Sequence, residues 1–235
     1  MELGEYKCSG KKYNGEKAII SLTSWKARIN TVSKTLYSLL RNCPGFHIVL
    51  VLSEEEFPKM EKEMPSDLML LVNGELVELL WIYPNIRSFK KALPTMYKYR
   101  EVPVISADDG QAYYENFAEN LYKRWLENKS NIVSKTHFKY NDIDFGAGGR
   151  GICYPPYCFG KDGLDLLTKT IVKTNHDDAY IGTLAKKKNI NFSFIDPLNR
   201  RRNNFFVFKN DEKVGLTNTG SFNNKNAFEY FIKKL

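Results

Sequence analysis

The chain has few of the residues that build metal or redox centres. It contains only 3 His and 4 Cys. Cys8, Cys43, Cys153 and Cys158 form no Cys-x-x-Cys pair, which argues against a structural zinc site. Cys153 and Cys158 flank Tyr154-Pro155-Pro156-Tyr157 and are close enough in sequence to approach one another, but free thiols are the expectation inside a cell. No uninterrupted apolar segment approaches the ~20 residues of a membrane span. The first residues, Met1 to Tyr6, lack the basic and then apolar order of a signal peptide. A soluble, cytoplasmic chain is therefore expected, with membrane contact confined to peripheral association at the inner face. The glycines between 146 and 151 do not space as G-x-G-x-x-G, no nucleic-acid-binding signature occurs, and neither a repeat nor a linker is visible.

Against these absences stands a composition suited to a packed core. Hydrophobic residues make up 43% of the 235, and aromatics 14%. That length suits one domain spanning 1–235, with residues 1–17 as a loose arm and 196–235 as a C-terminal extension. The net charge of +8 suits an anionic ligand, a nucleic acid or an acidic membrane surface, without choosing among them. Part of it is clustered, at Lys186-Lys187-Lys188, Arg200-Arg201-Arg202 and Lys233-Lys234. The arginine triplet reads first as a solvated patch.

Apolar runs predict strands at 18–22, 47–52, 76–81, 102–106, 131–134 and 191–195. Helical patterns lie between them: from Thr31 or Ser33 to Asn42, a broken one over 54–71, then 89–99, 113–128, 163–172, 176–188 and 226–234. Such alternation predicts βαβ units and an α/β fold with a mixed, mainly parallel sheet. The run 142–151 reads as a flexible glycine-rich loop.

The strand at 102–106 ends in Asp108-Asp109-Gly110. Ligands of open α/β sheets collect at the carboxyl ends of strands, and paired aspartates there suit a divalent cation. An Asp-Gly turn is the plainer reading.

Ile20-Ser-Leu-Thr-Ser-Trp25 with Arg28, Lys90-Lys91 with Leu93-Pro94-Thr95 and Tyr99, Ala107-Asp108-Asp109, Gly151 with Tyr154-Pro155-Pro156, and Asp177-Asp178 follow one another in an order with a known counterpart. Over residues 18–195 this pattern resembles bacterial glycosyltransferases of the GT-A (Rossmann-like) fold, of the capsular or surface-polysaccharide type. In that family the acidic motif, DxD, is usually three aspartates, and Gly110 stands at the last. Tyr113 supports this register.

The resemblance implies an enzyme that moves a sugar from a nucleotide-sugar donor to a hydroxyl of a saccharide or lipid-linked saccharide, with inversion. It implies Mn2+ or Mg2+ held by Asp109 and Asp108, with Asp108 also touching the nucleoside or ribose. Arg28, Lys90 and Lys91 become partners of the diphosphate, Thr23 and Ser24 contacts of the nucleoside. Asp178, with Asp177, becomes the general base. Each has a plainer role: a solvated helix end for the lysines, a cap or turn for Thr23 and Ser24, helix capping for the aspartates. His176 reads as a structural or exposed residue rather than a ligand. The glycine loop is either a cover for the donor or a connection, and Tyr154 to Tyr157 either an acceptor wall or the approach to a helix. Gly110 motivates a catalytically weakened nucleotide-sugar-binding protein of the same fold as an alternative. The net charge motivates a nucleic-acid-binding module.

Overall fold

A computed structural model describes residues 6–160, 176–196, 205–208 and 224–234. The elements follow in chain order: β1 (Lys7–Gly10), β2 (Ile19–Thr23), α1 (Val32–Asn42), β3 (His47–Ser53), α2 (Ser66–Asn73), β4 (Glu78–Ile82), α3 (Leu93–Lys98), β5 (Val104–Ser106) and β6 (Gln111–Tyr113). After these come α4 (Phe117–Glu127), β7 (Ile132–Thr136), β8 (Phe138–Tyr140), β9 (Ile143–Phe145), β10 (Ile152–Tyr154), α5 (Asp177–Lys187), β11 (Phe192–Asp196), β12 (Phe205–Val207) and α6 (Asn224–Lys234). Short 3-10 turns occupy Met60–Glu63, Arg87–Lys91 and Gly148–Arg150.

The fold is α/β around an eight-stranded sheet ordered β1-β4-β3-β2-β5-β10-β7-β11. Strands β2, β3, β4, β5, β7 and β11 run one way, and β1 and β10 oppose them. The sheet is therefore mixed and mainly parallel. All residues of β2, β3 and β4 are buried, as parallel strands covered on both faces require. Alternate side chains serve the two faces. Ile20, Leu22, Leu50 and Leu52 meet Leu36 and Leu39 of α1, Leu68 of α2, and Phe117 and Leu121 of α4. Ile19, Val49, Val51 and Leu80 meet Leu93 of α3, Tyr180 and Leu184 of α5, and Phe228 and Phe231 of α6. The result is three layers, with the sheet between two sets of helices.

Several sequence expectations change. Within the expected loose arm, Lys7–Gly10 is an edge strand pairing with β4, because the free edge of β4 offers an unpaired ladder. The helix expected from 113 starts at Phe117, since Gln111–Tyr113 pairs instead with β12. That same pairing puts a strand, Phe205–Val207, in the expected C-terminal extension. The stretch 142–151 is mostly structured: Phe138–Tyr140 and Ile143–Phe145 form a hairpin, Asn141 turning it with φ of 53°, and a 3-10 turn follows. Strand β10 was not expected at all. The helix expected at 163–172 and Arg200 to Arg202 lie outside the described residues.

Candidate functional site

The strand order places a crevice where chemistry can collect. From β2 the chain winds outward through β3 and β4, then returns to lay β5 on the other side of β2. Beyond the carboxyl ends of β2 and β5, the connections therefore leave in opposite directions and open a cleft between them, the topological switch point of an open α/β sheet. Ser24 follows β2, and Asp108 and Asp109 follow β5. Because β10 is antiparallel to β5 and β7, the turn entering it, Gly148–Arg150, arrives at this same edge.

Two adjacent clusters form there. In the first, Asp109 is buried and both carboxylate oxygens are engaged. Ser24 Oγ donates to Oδ2 at 2.7 Å, and Arg28 Nη1 donates to Oδ1 at 2.8 Å. Thr35 Oγ1 donates to the Asp109 carbonyl at 2.7 Å, which ties the motif to α1. Burial pushes the Asp109 carboxyl up, against the opposing pull of Arg28 and Ser24.

In the second cluster Lys91 Nζ lies 2.7 Å from Asp108 Oδ1 and 3.4 Å from Asp177 Oδ2. Burial disfavours its charge, but Asp108, Asp177 and Asp178 outweigh this and hold the ammonium well above its usual range. Asp178 accepts the Gly148 N–H on Oδ1 at 2.9 Å. Burial first, and then the neighbouring Asp177 charge, push its carboxyl up to about 7. A carboxylate at that value is poised to accept a proton near neutrality. Asp177 and Asp178 lie in the first turn of α5, where the helix dipole favours them, but the N-cap position is His176 and no side chain caps the helix.

The glycine turn is built onto this cluster. Ser106 Oγ donates to the Gly148 carbonyl at 2.9 Å and accepts the Ile152 N–H at 3.1 Å. Tyr113 Oη accepts the Asp108 N–H at 2.7 Å and donates to the Gly149 carbonyl at 2.9 Å. A Cβ on Gly149 would collide with Asp108 Oδ2, and one on Gly148 would sit 3.0 Å from Asp178 Oδ1. Only glycine lets this backbone lie so close to the carboxylates.

The structure thus brings Ser24, Arg28 and Asp109 together, and Lys91, Asp108, Asp177 and Asp178 together. It leaves two candidates out. Thr23 Oγ1 donates to the Val51 carbonyl at 2.7 Å, clipping β2 to β3. Lys90, 1% exposed, pairs with Glu56 rather than with the carboxylates around Lys91, although the Asp109 charge also acts on it. Tyr154 is buried, but its hydroxyl reaches the cluster from beneath, hydrogen-bonded to Ser106, and burial together with the Asp178 and Asp177 charges pushes it up. Pro155 and Tyr157 follow at the far end of β10, away from this cleft. The cysteines are free thiols, as expected.

Sequence reasoning missed Ser106, Thr35 and Glu56. Ser106 carried a readable signal, a hydroxyl at the end of an apolar strand; Thr35 and Glu56 carried none.

Among the described residues, no group of three or more His, Cys, Asp or Glu side chains is arranged to hold a metal ion. The carboxylates do not fit a divalent cation well, because Asp109 has both oxygens engaged and Asp108 has one on Lys91 and the other against Gly149. Among the same residues, no helix is long and apolar enough to cross a membrane.

No family model and no curated protein matches the chain. Among solved structures it is similar to the glycosyltransferase GlyE of Streptococcus pneumoniae TIGR4, with 14% identity and a TM-score of 0.47 over 79% of this chain and 47% of that one. It is also similar to TarS of S. aureus, with 13% identity and a TM-score of 0.36 over 51% of this chain and 21% of that one. The chain spans about half the length of the first and a fifth of the second.

Proposed function

We propose that this chain is a GT-A-type glycosyltransferase that moves a sugar from a nucleotide-sugar donor to a hydroxyl of a saccharide or lipid-linked saccharide, with inversion, in bacterial surface-glycan assembly at the cytoplasmic face. The observation that carries this reading is the placement of Asp108 and Asp177 around Lys91 at the switch point of the sheet, with Asp178 beside them on the glycine turn. The reaction needs a base at the acceptor and a cation at the leaving group, and these residues meet both needs. The acceptor oxygen attacks the anomeric carbon and its proton passes to Asp178. The bond to the diphosphate breaks, and its electron pair stays on the phosphate oxygen. With Oδ1 of Asp178 occupied by the Gly148 N–H, Oδ2 takes the proton. Arg28 and Ser24 act one step back, by fixing Asp109 and with it the turn that carries Asp108.

The test is a screen of sugar nucleotides for release of nucleoside diphosphate, run on the wild type, Asp178→Asn and Asp108→Asn. Turnover by the wild type is expected to fall about 10²-fold or more in Asp178→Asn, with circular dichroism unchanged. Wild-type turnover matched by both variants overturns the site assignment. Gly110, in place of the third aspartate, favours the second reading, a binding protein of the same fold, whose signature is nucleotide binding without turnover.

A further inference from the structure

We infer that Lys91 supplies, as a fixed part of the chain, the positive charge that a divalent ion would bring to this site, so that nucleotide binding here is independent of a divalent cation. The inference rests on the sugar-nucleotide reading above and concerns which cation serves it. Among the described residues Arg28, Lys90 and Lys91 are all paired with carboxylates, and they differ in where those carboxylates stand. Arg28 is paired with Asp109, and Lys90 with Glu56. Lys91 differs in standing between the aspartate that follows β5 and those that open α5, 2.7 Å from Asp108 and 3.4 Å from Asp177. That is the interval in which a donor's diphosphate would lie, between the nucleoside side and the acceptor side of the cleft.

The lysine already engages one carboxylate oxygen of Asp108 and crowds the site a metal would use. Hard divalent ions take several oxygen ligands and share them with substrate phosphates. Here Asp108 Oδ1 contacts the ammonium and Oδ2 faces the Gly149 backbone, while Gly110 contributes no carboxylate. A metal at Asp108 would also meet the Lys91 charge at close range, the lysine side chain being 12% exposed and that of Asp108 34%. The turn closes over the ammonium: a Cβ on Gly148 would lie 3.3 Å from Nζ. A lysine so enclosed is a point charge held ready where negative charge develops on the leaving group.

Calorimetric titrations of the whole chain with UDP, GDP and MnCl2 test this, using the wild type, Lys91→Met and Lys91→Arg. Wild type is expected to bind UDP or GDP with affinities agreeing within about twofold in EDTA and in Mn2+, and to give no heat with Mn2+ alone. Lys91→Met should lose about tenfold or more of its nucleotide affinity in EDTA, regain it with Mn2+, and bind Mn2+ by itself. Lys91→Arg keeps the charge and should behave as wild type, which separates charge from folding. Loss of wild-type nucleotide binding in EDTA overturns the inference. So does equal Mn2+ binding by wild type and Lys91→Met, including its absence from both. Failure of UDP and GDP to bind in either medium counts against the sugar-nucleotide reading instead, and the Mn2+ arm alone then decides the role of the lysine.

Discussion

Asp178 Oδ1 accepts the Gly148 N–H at 2.9 Å, so the carboxyl whose pKa lies near 7 is fastened to the turn that covers Asp108. That N–H favours the ionised carboxyl, against the burial and the Asp177 charge that raise its pKa.

The first prediction concerns pH. Asp178 must be ionised to accept a proton, so the rate of sugar transfer should rise with pH through about 7 and level off above it. Asp178→Glu should keep a shifted limb, and Asp178→Asn should lose it; pH–rate profiles check this. Stability runs the other way. The folded pKa lies above the ordinary 3.8, so the contribution of this carboxyl is full below that value and is lost as pH rises through about 7. Melting curves of wild type and Asp178→Asn should therefore converge at acid pH and separate at alkaline pH, with the variant the more stable there.

Gly149→Ala would set a methyl group against Asp108 Oδ2. Overpacking of this kind costs about 1–3 kcal/mol, and the turn is expected to shift off the carboxylates. Thermal melts should show the loss, and KM for the donor should rise more than kcat falls.

Asp109→Ala leaves the half-buried Arg28 without its carboxylate. Breaking a buried pair costs about 3–5 kcal/mol, so a large fall in unfolding free energy is expected in urea titrations. Asp109→Asn, which can still accept from Ser24, should lose less.

Tyr113→Phe removes the hydroxyl that bridges the Asp108 N–H and the Gly149 carbonyl. The cost should be about 1–3 kcal/mol, because it leaves a half-buried donor and acceptor unmatched, and hydrogen exchange at Asp108 should accelerate.

At the opposite edge of the sheet, Glu78 accepts from His47 Nε2 at 2.6 Å, from Tyr99 Oη at 2.5 Å and from Lys98. Burial would raise its pKa, but these hydrogen bonds prevail and hold it below the ordinary 4.5. The stability it contributes is present above 4.5 and is lost as pH falls through the lowered value. Glu78→Gln should therefore flatten the acid limb of stability, measured by melts across pH 3–7, while leaving nucleotide binding intact.

The parallel strands were legible because they carry continuous apolar runs such as His47 to Leu52, which only a doubly covered strand tolerates. Ile152–Tyr154 was not, since its identity as a strand comes from partners distant in the chain, Val104–Ile105 and Val133–Ser134. Tyr113 belonged by pattern to the helix that follows, and pairing with Phe205 overrode that. In the site, the acidic residues were legible by type and their partners were not. Lys90 and Lys91 read alike in sequence, but a 3-10 turn sends successive side chains about 120° apart. One reaches Glu56 and the other Asp108.

The pairing of Phe205–Val207 with Gln111–Tyr113, extended by the Phe208 N–H to the Gly110 carbonyl at 3.1 Å, bears on the order in which the molecule is made. A ribosome delivers the acidic motif long before the strand that borders it. During that interval the nascent chain presents an unpaired edge beside two carboxylates, whose charge discourages other strands from docking there. The strand edge beside Asp108 and Asp109 is therefore completed only late in synthesis.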